Sequence, residues 1–250
     1  MLGLGTVLNV AAVVVGGTIG TLLGDRLPTR VRDVVTDGLG LVTLMVGGLN
    51  VAAVLDSELV DEVGRGVPLL IVLASVVVGG VMGAALRLES RLEGLGGSLQ
   101  RRLAGGQSAP DTRRRFIEGY VTASLVFCVG PLTVLGSLQD GIGNGIELLA
   151  LKSVLDGFAA LAFAASLGWG VVASALTVLV VQGTLTVLGA AMGDVMNQAQ
   201  VSALSATGGV LLLGVGLRLL RIKPLPVGDL LPALVVAPLL TAVLGTFLDS

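Results

Sequence analysis

Residues 147–167 read ELLALKSVLDGFAALAFAASL. The stretch has the length of a membrane-crossing helix, which takes about 20 predominantly apolar residues. Two charges interrupt it, Lys152 and Asp156. Counted as a crossing, it gives the chain eight spans; left out, it leaves seven. The other apolar segments are 2–23, 36–55, 67–86, 116–138, 170–192, 201–220 and 230–248. The first lacks the basic region that precedes the apolar core of a cleavable signal peptide, so it reads as a span that stays.

The basic residues decide between the counts, because Lys and Arg gather on the cytoplasmic side of a membrane protein. Arg26, Arg30 and Arg32 follow the first segment. Arg87, Arg91, Arg101, Arg102, Arg113, Arg114 and Arg115 follow the third, and Arg218, Arg221 and Lys223 follow the seventh. Only Arg65 and Lys152 fall elsewhere. With eight spans all three clusters share one side, and the opposite side takes Asp56, Glu58, Asp61, Glu62, Asp140, Glu147, Asp194 and Asp249. Both termini then lie outside. With seven, the cluster at 218–223 would cross to the outer face, so the charges favour eight.

The composition points the same way. Of 250 residues, 54% are apolar and 13% are charged, with a mean hydropathy of +0.97. A soluble domain carries roughly a quarter charged residues. The expected fold is all-α, a polytopic transmembrane helical bundle, forming a single membrane domain over 1–250. Within it we read a three-span unit at 1–86 and a cytoplasmic basic loop at 87–115 with a flexible tip at Ala104–Asp111. A central two-span hairpin at 116–167 and a second three-span unit at 168–250 complete the chain. A lone Cys128 and the lack of histidine argue against a disulfide framework, a zinc or copper site and any cofactor. A hard cation held by oxygens stays open. The net charge of −2 suggests no nucleic-acid partner.

An internal repeat underlies the two three-span units. At an offset of 169, Gly20 meets Gly189, and Gly24-Asp25 meets Gly193-Asp194. Gly40 meets Gly209, Leu44 meets Leu213, and Val46-Gly47 meets Val215-Gly216. The copies are spans one to two and six to seven, so they run in opposite directions. Inverted repeats of this kind mark secondary transporters, although a duplication kept for packing alone would leave the same pattern.

The candidate site lies in the central stretch. Lys152 and Asp156, at i and i+4, share one helical face. Charges inside a membrane usually face a cavity or a partner. They form either a substrate or cation site or a neutralised pair joining helices. Cys128-Val129-Gly130-Pro131 breaks or kinks the fourth span, because proline removes a backbone donor and frees a carbonyl one turn back. Ser124, Thr133 and Ser137 add hydroxyls, while Asn9, Asn50 and Gln182 are lone amides suited to interhelical hydrogen bonds. Gln139-Asp140-Gly141 and Asn144-Gly145-Ile146-Glu147 read as a solvated outer turn. Glycines at 16, 20 and 24, and at 79 and 83, form close-packing faces, used either within the chain or in a homodimer. With no histidine base, phosphate loop, serine elbow or second mid-span aspartate, the chain is not expected to be an enzyme.

The motifs Phe127-Cys128-Val129-Gly130, Leu135-Gly136-Ser137, Lys152-Ser153, Leu155-Asp156-Gly157, Ser166-Leu167-Gly168 and Gln182-Gly183 are similar to those of a known group. With Asn9, Gly16-Gly17, Gly208-Gly209 and Leu231-Pro232-Ala233, the chain resembles the YdfK/YqgA-like bacterial membrane proteins over nearly its whole length. Asp229 stands where that resemblance leads one to expect asparagine. The resemblance implies a multi-spanning protein of the bacterial inner (plasma) membrane and implies no activity. The leading functional expectation is a transporter of an ion or small polar solute by alternating access. Its site would comprise Lys152, Asp156, Ser124, Cys128, Gly130, Pro131, Gln182 and Asn9. A channel using the same cavity and a non-transporting scaffold or sensor are the alternatives.

Overall fold

The computed structural model describes residues 3–24, 26–103, 110–143, 145–192 and 196–248, with the side chains of Leu103, Pro131, Met192, Phe247 and Leu248 outside the description. The described residues are helical with no strand. The helices are α1 (Leu4–Gly24), α2 (Thr29–Val51), α3 (Ser57–Val63), α4 (Val67–Leu86), α5 (Leu88–Leu103), α6 (Pro110–Val129), α7 (Pro131–Ile142), α8 (Glu147–Leu167), α9 (Trp169–Met192), α10 (Gln198–Leu219) and α11 (Ala233–Leu248). Two 3-10 turns, Ala52–Leu55 and Val227–Leu230, extend α2 and precede α11. Seven stretches are long and apolar enough to cross a membrane, the one at 147–167 among them, and α6 with α7 forms a further pair bent by 62°. The chain divides into two compact units. One holds residues 1–39, 90–128 and 132–195; the other holds 40–89, 129–131 and 196–250.

In the first unit, α1 lies along α8 with backbone against backbone. A Cβ on Gly16 would collide with the Gly157 carbonyl, on Gly20 with that of Leu161 and on Gly24 with that of Ala165. The numbers rise together, so the helices point the same way. At their C-terminal end, Arg115 of α6 donates to the Ser166 carbonyl (2.8 Å), and Ser166 donates to the Arg32 carbonyl (3.1 Å). At their N-terminal end, the Asp140 carboxylate of α7 accepts from the backbone N–H of Gly3 (3.2 Å) and Thr6 (3.4 Å). The bent α6–α7 pair therefore runs from one end of this unit to the other, so with the seven apolar stretches it gives up to eight crossings. The glycines at 16, 20 and 24 are used within the chain.

In the second unit, α10 is central and buried along most of its length. It runs antiparallel to the C-terminal half of α2. Gly47 approaches the Gly209 carbonyl, and Gly216 approaches Leu44 and the Gly40 carbonyl. α4 and α11 are likewise antiparallel, with Gly79 against Ala233 and Gly83 against the Asp229 carbonyl, so this second glycine face is also consumed internally. Leu59, Val63, Ile71, Ala199, Ala203 and Ala237 form a core beneath α3. At the basic end, the Glu89 carboxylate takes the Arg218 guanidinium and the Gly228 N–H (2.6 Å), while the Glu89 N–H donates to Asp229 Oδ1 (2.9 Å).

Three expectations are corrected. The basic loop at 87–115 contains a helix, α5, because Leu88, Leu92, Leu95 and Leu99 recur at helical spacing; the tip at 104–109 lies outside the described residues. Asp140 and Gly141 belong to α7 rather than to a solvated turn: Asp140 is 2% exposed because its carboxylate caps the free N–H groups that open α1. α2 begins at Thr29, seven residues before its apolar segment, because Pro28 starts its hydrogen-bond ladder by accepting from Val31 and Arg32. Asp25, Asn144, Gly193 and Asp194, including most of the Gly-Asp pairs of the repeat, lie outside the described residues.

Candidate functional site

α8 is about 30 Å long, and Asp156 sits about 14 Å along it from Glu147, near the middle, with Lys152 about 8 Å along. Both are buried, at 5% exposure for Lys152 and 7% for Asp156. The Lys152 ammonium lies 2.5 Å from Asp156 Oδ2. Two features make this a poor device for stabilising a helix. The cation precedes the anion, which is the weaker order for an i, i+4 pair. It also reaches inward, whereas a lysine near a span end normally turns its head toward the interface.

The partner helix completes the group. Asn9 of α1 donates through Nδ2 to Asp156 Oδ2 at 2.9 Å, so one carboxylate oxygen takes two donors and the other takes neither. Asn9 Oδ1 is buried with no hydrogen-bond partner. Across α1 and α9, Thr6 and Thr186 share a hydrogen bond of 3.2 Å. One turn further along these antiparallel helices brings Asn9 level with Gln182 on the same faces. Gln182 is 0% exposed, and neither of its amide atoms has a partner. An unsatisfied buried amide costs on the order of 1–3 kcal/mol in protein mutational data.

Other expected members are placed differently. Ser124 joins a hydroxyl ladder, donating to Thr177 (3.1 Å), which donates to Tyr120 Oη (2.9 Å). Gly130 marks the break between α6 and α7, and a Cβ there would meet nothing within 4 Å. Pro131 opens α7; its side chain lies outside the described residues. The carbonyl that Pro131 frees, that of Phe127, is taken by Thr133 Oγ1 at 2.9 Å, so it is not offered to a ligand. Asn50 donates to the Val46 carbonyl of its own helix (3.0 Å) rather than to a neighbouring one. Spacing placed Lys152 and Asp156 together, but nothing local identified Asp140 as the cap of α1, because its partners lie 134 and 137 residues away. Among the described residues no group of three His, Cys, Asp or Glu side chains could hold a metal.

Seven long apolar helices and one bent helix pair, with a buried ion pair inside one of the seven, define a multi-pass α-helical membrane protein. The chain belongs to the family described as "Protein of unknown function (DUF554)", whose model matches residues 4–242. It is 31% identical to "Uncharacterized protein YqgA" of Escherichia coli (strain K12) over 239 residues, covering 96% of each chain. It is 26% identical to "Uncharacterized membrane protein YdfK" of Bacillus subtilis (strain 168) over 243 residues, covering 97% of each. No solved structure matches.

Proposed function

We propose that the protein is a transporter of an ion or small polar solute, working by alternating access in a bacterial plasma membrane. The observation that carries this is the Lys152–Asp156 pair, buried within a span and held by Asn9 from a second helix. A pair kept only to join helices would be served by neutral polar groups at lower desolvation cost. The repeat supports the same reading. The offset of 169 carries the contact of Gly47 with Gly209 onto the contact of Gly216 with Gly40, and α2 and α10 run antiparallel there. α1 and α9, the other matched helices, are antiparallel too, with Thr6 beside Thr186 and Gly17 beside Val172. Copies of opposite direction allow two states related by exchange of their conformations.

The test is uptake of labelled ions and small metabolites by liposomes containing the purified protein. Saturable uptake accelerated by unlabelled substrate on the far side, and lost in Asp156→Asn, is the expected result. Flux that is linear in concentration, with no counterflow, would replace the carrier by a channel. Absence of flux for every solute, with the protein folded, would favour a scaffold.

A further inference from the structure

Resting on the transport reading, we propose that Asp156 is a binding site for a monovalent cation and that the Lys152 ammonium holds this site in the present structure. Each cation that binds then releases one proton, and the protein exchanges the two without moving net charge.

The oxygen set comes first. Asp156 offers a carboxylate of which only Oδ2 is engaged, by the ammonium and by the Asn9 amide. Asn9 Oδ1 is buried and without a partner. Rotating the Asn9 amide exchanges its donor for this acceptor. Its oxygen then faces the carboxylate, an arrangement that repels unless a cation lies between them. Gln182, level with Asn9 on α9, brings a second buried, unpartnered amide oxygen. Carboxylate and carbonyl oxygens are the ligands hard cations take.

The charge balance follows from the surrounding helices. α1 and α9 carry no charged residue along their lengths. Of the titratable groups on the other neighbouring segments, Asp140 is committed to the start of α1, Glu147 is exposed at the start of α8, and Cys128 is a half-buried free thiol in α6. With the pair closed, the net charge is zero. A monovalent cation on Asp156 beside an intact ammonium would leave one uncompensated charge in a low-dielectric interior, at high cost. Loss of one proton from Lys152 Nζ to water restores neutrality: the N–H bond breaks, the electron pair stays on nitrogen, and the cation takes the carboxylate. A divalent cation would still leave a surplus charge, which selects against it.

The experiment is proton release from the purified protein in weakly buffered detergent. Addition of sodium, lithium or potassium chloride should release about one proton per chain for at least one of the three, with choline chloride as the blank. The same salt should raise the melting temperature, with an apparent affinity that improves about tenfold per pH unit. Lys152→Met should bind the cation more tightly, lose the pH dependence and release no proton; Asp156→Asn should show no melting shift. Lys152→Gln serves if the methionine variant does not fold, and the pH dependence of the wild type decides the matter if neither does. No release from the folded wild type, pH-independent affinity, or release that persists in Lys152→Met overturns the proposal. Liposome uptake separates the two readings. Solute flux without proton release removes only the exchange, whereas proton release without flux removes the transporter and leaves a cation-binding membrane protein.

Discussion

Asn9 and Asp156 are 147 residues apart in sequence and 2.9 Å apart in space, joined across the α1–α8 interface. The amide is the only polar group that α1 contributes to the ion pair. Asn9→Leu should therefore destabilise the protein by about 1–3 kcal/mol, the cost of leaving a buried acceptor short of a donor. A double-mutant cycle with Asp156→Asn checks the assignment. The two losses should fall short of additivity, because they remove the same contact. Strict additivity in melting measurements would mean that Asn9 acts elsewhere.

Two adjacent glycines in α2 make a sharper contrast. A Cβ on Gly47 would sit 2.9 Å from the Gly209 carbonyl oxygen, whereas one on Gly48 would meet nothing within 4 Å. Gly47→Ala should cost about 1–3 kcal/mol through overpacking against backbone that cannot yield. Gly48→Ala should be neutral or stabilising by up to about 1 kcal/mol, from helix propensity alone. Equal melting temperatures for the two variants would contradict the α2–α10 approach.

Thr133 does for α6 what Pro131 prevents. Its hydroxyl fills the Phe127 carbonyl, which lies four residues before the proline and has lost its helical donor. Thr133→Val keeps the shape and removes the donor, so about 1–3 kcal/mol should be lost. Thr133→Ser should retain most of the stability. If valine and serine behave alike in thermal melts, the carbonyl is satisfied in another way.

These sites differ in how far the sequence announces them. The spans are legible because crossing a bilayer demands length and apolarity, which are local properties. Lys152 and Asp156 are legible because their partnership is local too, closing within one turn. Asn9 announces that it needs a partner but not which one, since helical periodicity gives a face and not the helix that covers it. Asp140 misleads for a related reason. It is followed by Gly141 and Gly143, so it reads as a turn, yet its carboxylate is spent on α1. α5 is hidden by its charges: Leu88, Leu92, Leu95 and Leu99 fall at helical spacing within a segment that the arginine clusters mark only as the basic face.

The count of eight spans makes a prediction about sidedness that the bent α6–α7 pair decides. In a background where Cys128 is replaced by serine, single cysteines go to four positions: Leu55→Cys, Arg101→Cys, Glu147→Cys and Lys223→Cys. All four sites are exposed. Leu55 follows α2, and Glu147 follows the bent pair. Arg101 lies in α5 and Lys223 follows α10, both among the arginine clusters that should face the cytoplasm. A membrane-impermeant thiol reagent applied to intact cells should label the cysteines at 55 and 147, and should reach those at 101 and 223 only after permeabilisation. Glu147 is the informative position. If α6 and α7 turned back without crossing, it would share the side of Arg101 and stay unlabelled. That outcome would also place α8 antiparallel to α1. The aligned contacts of Gly16 with Gly157 and of Gly20 with Leu161 rule that arrangement out.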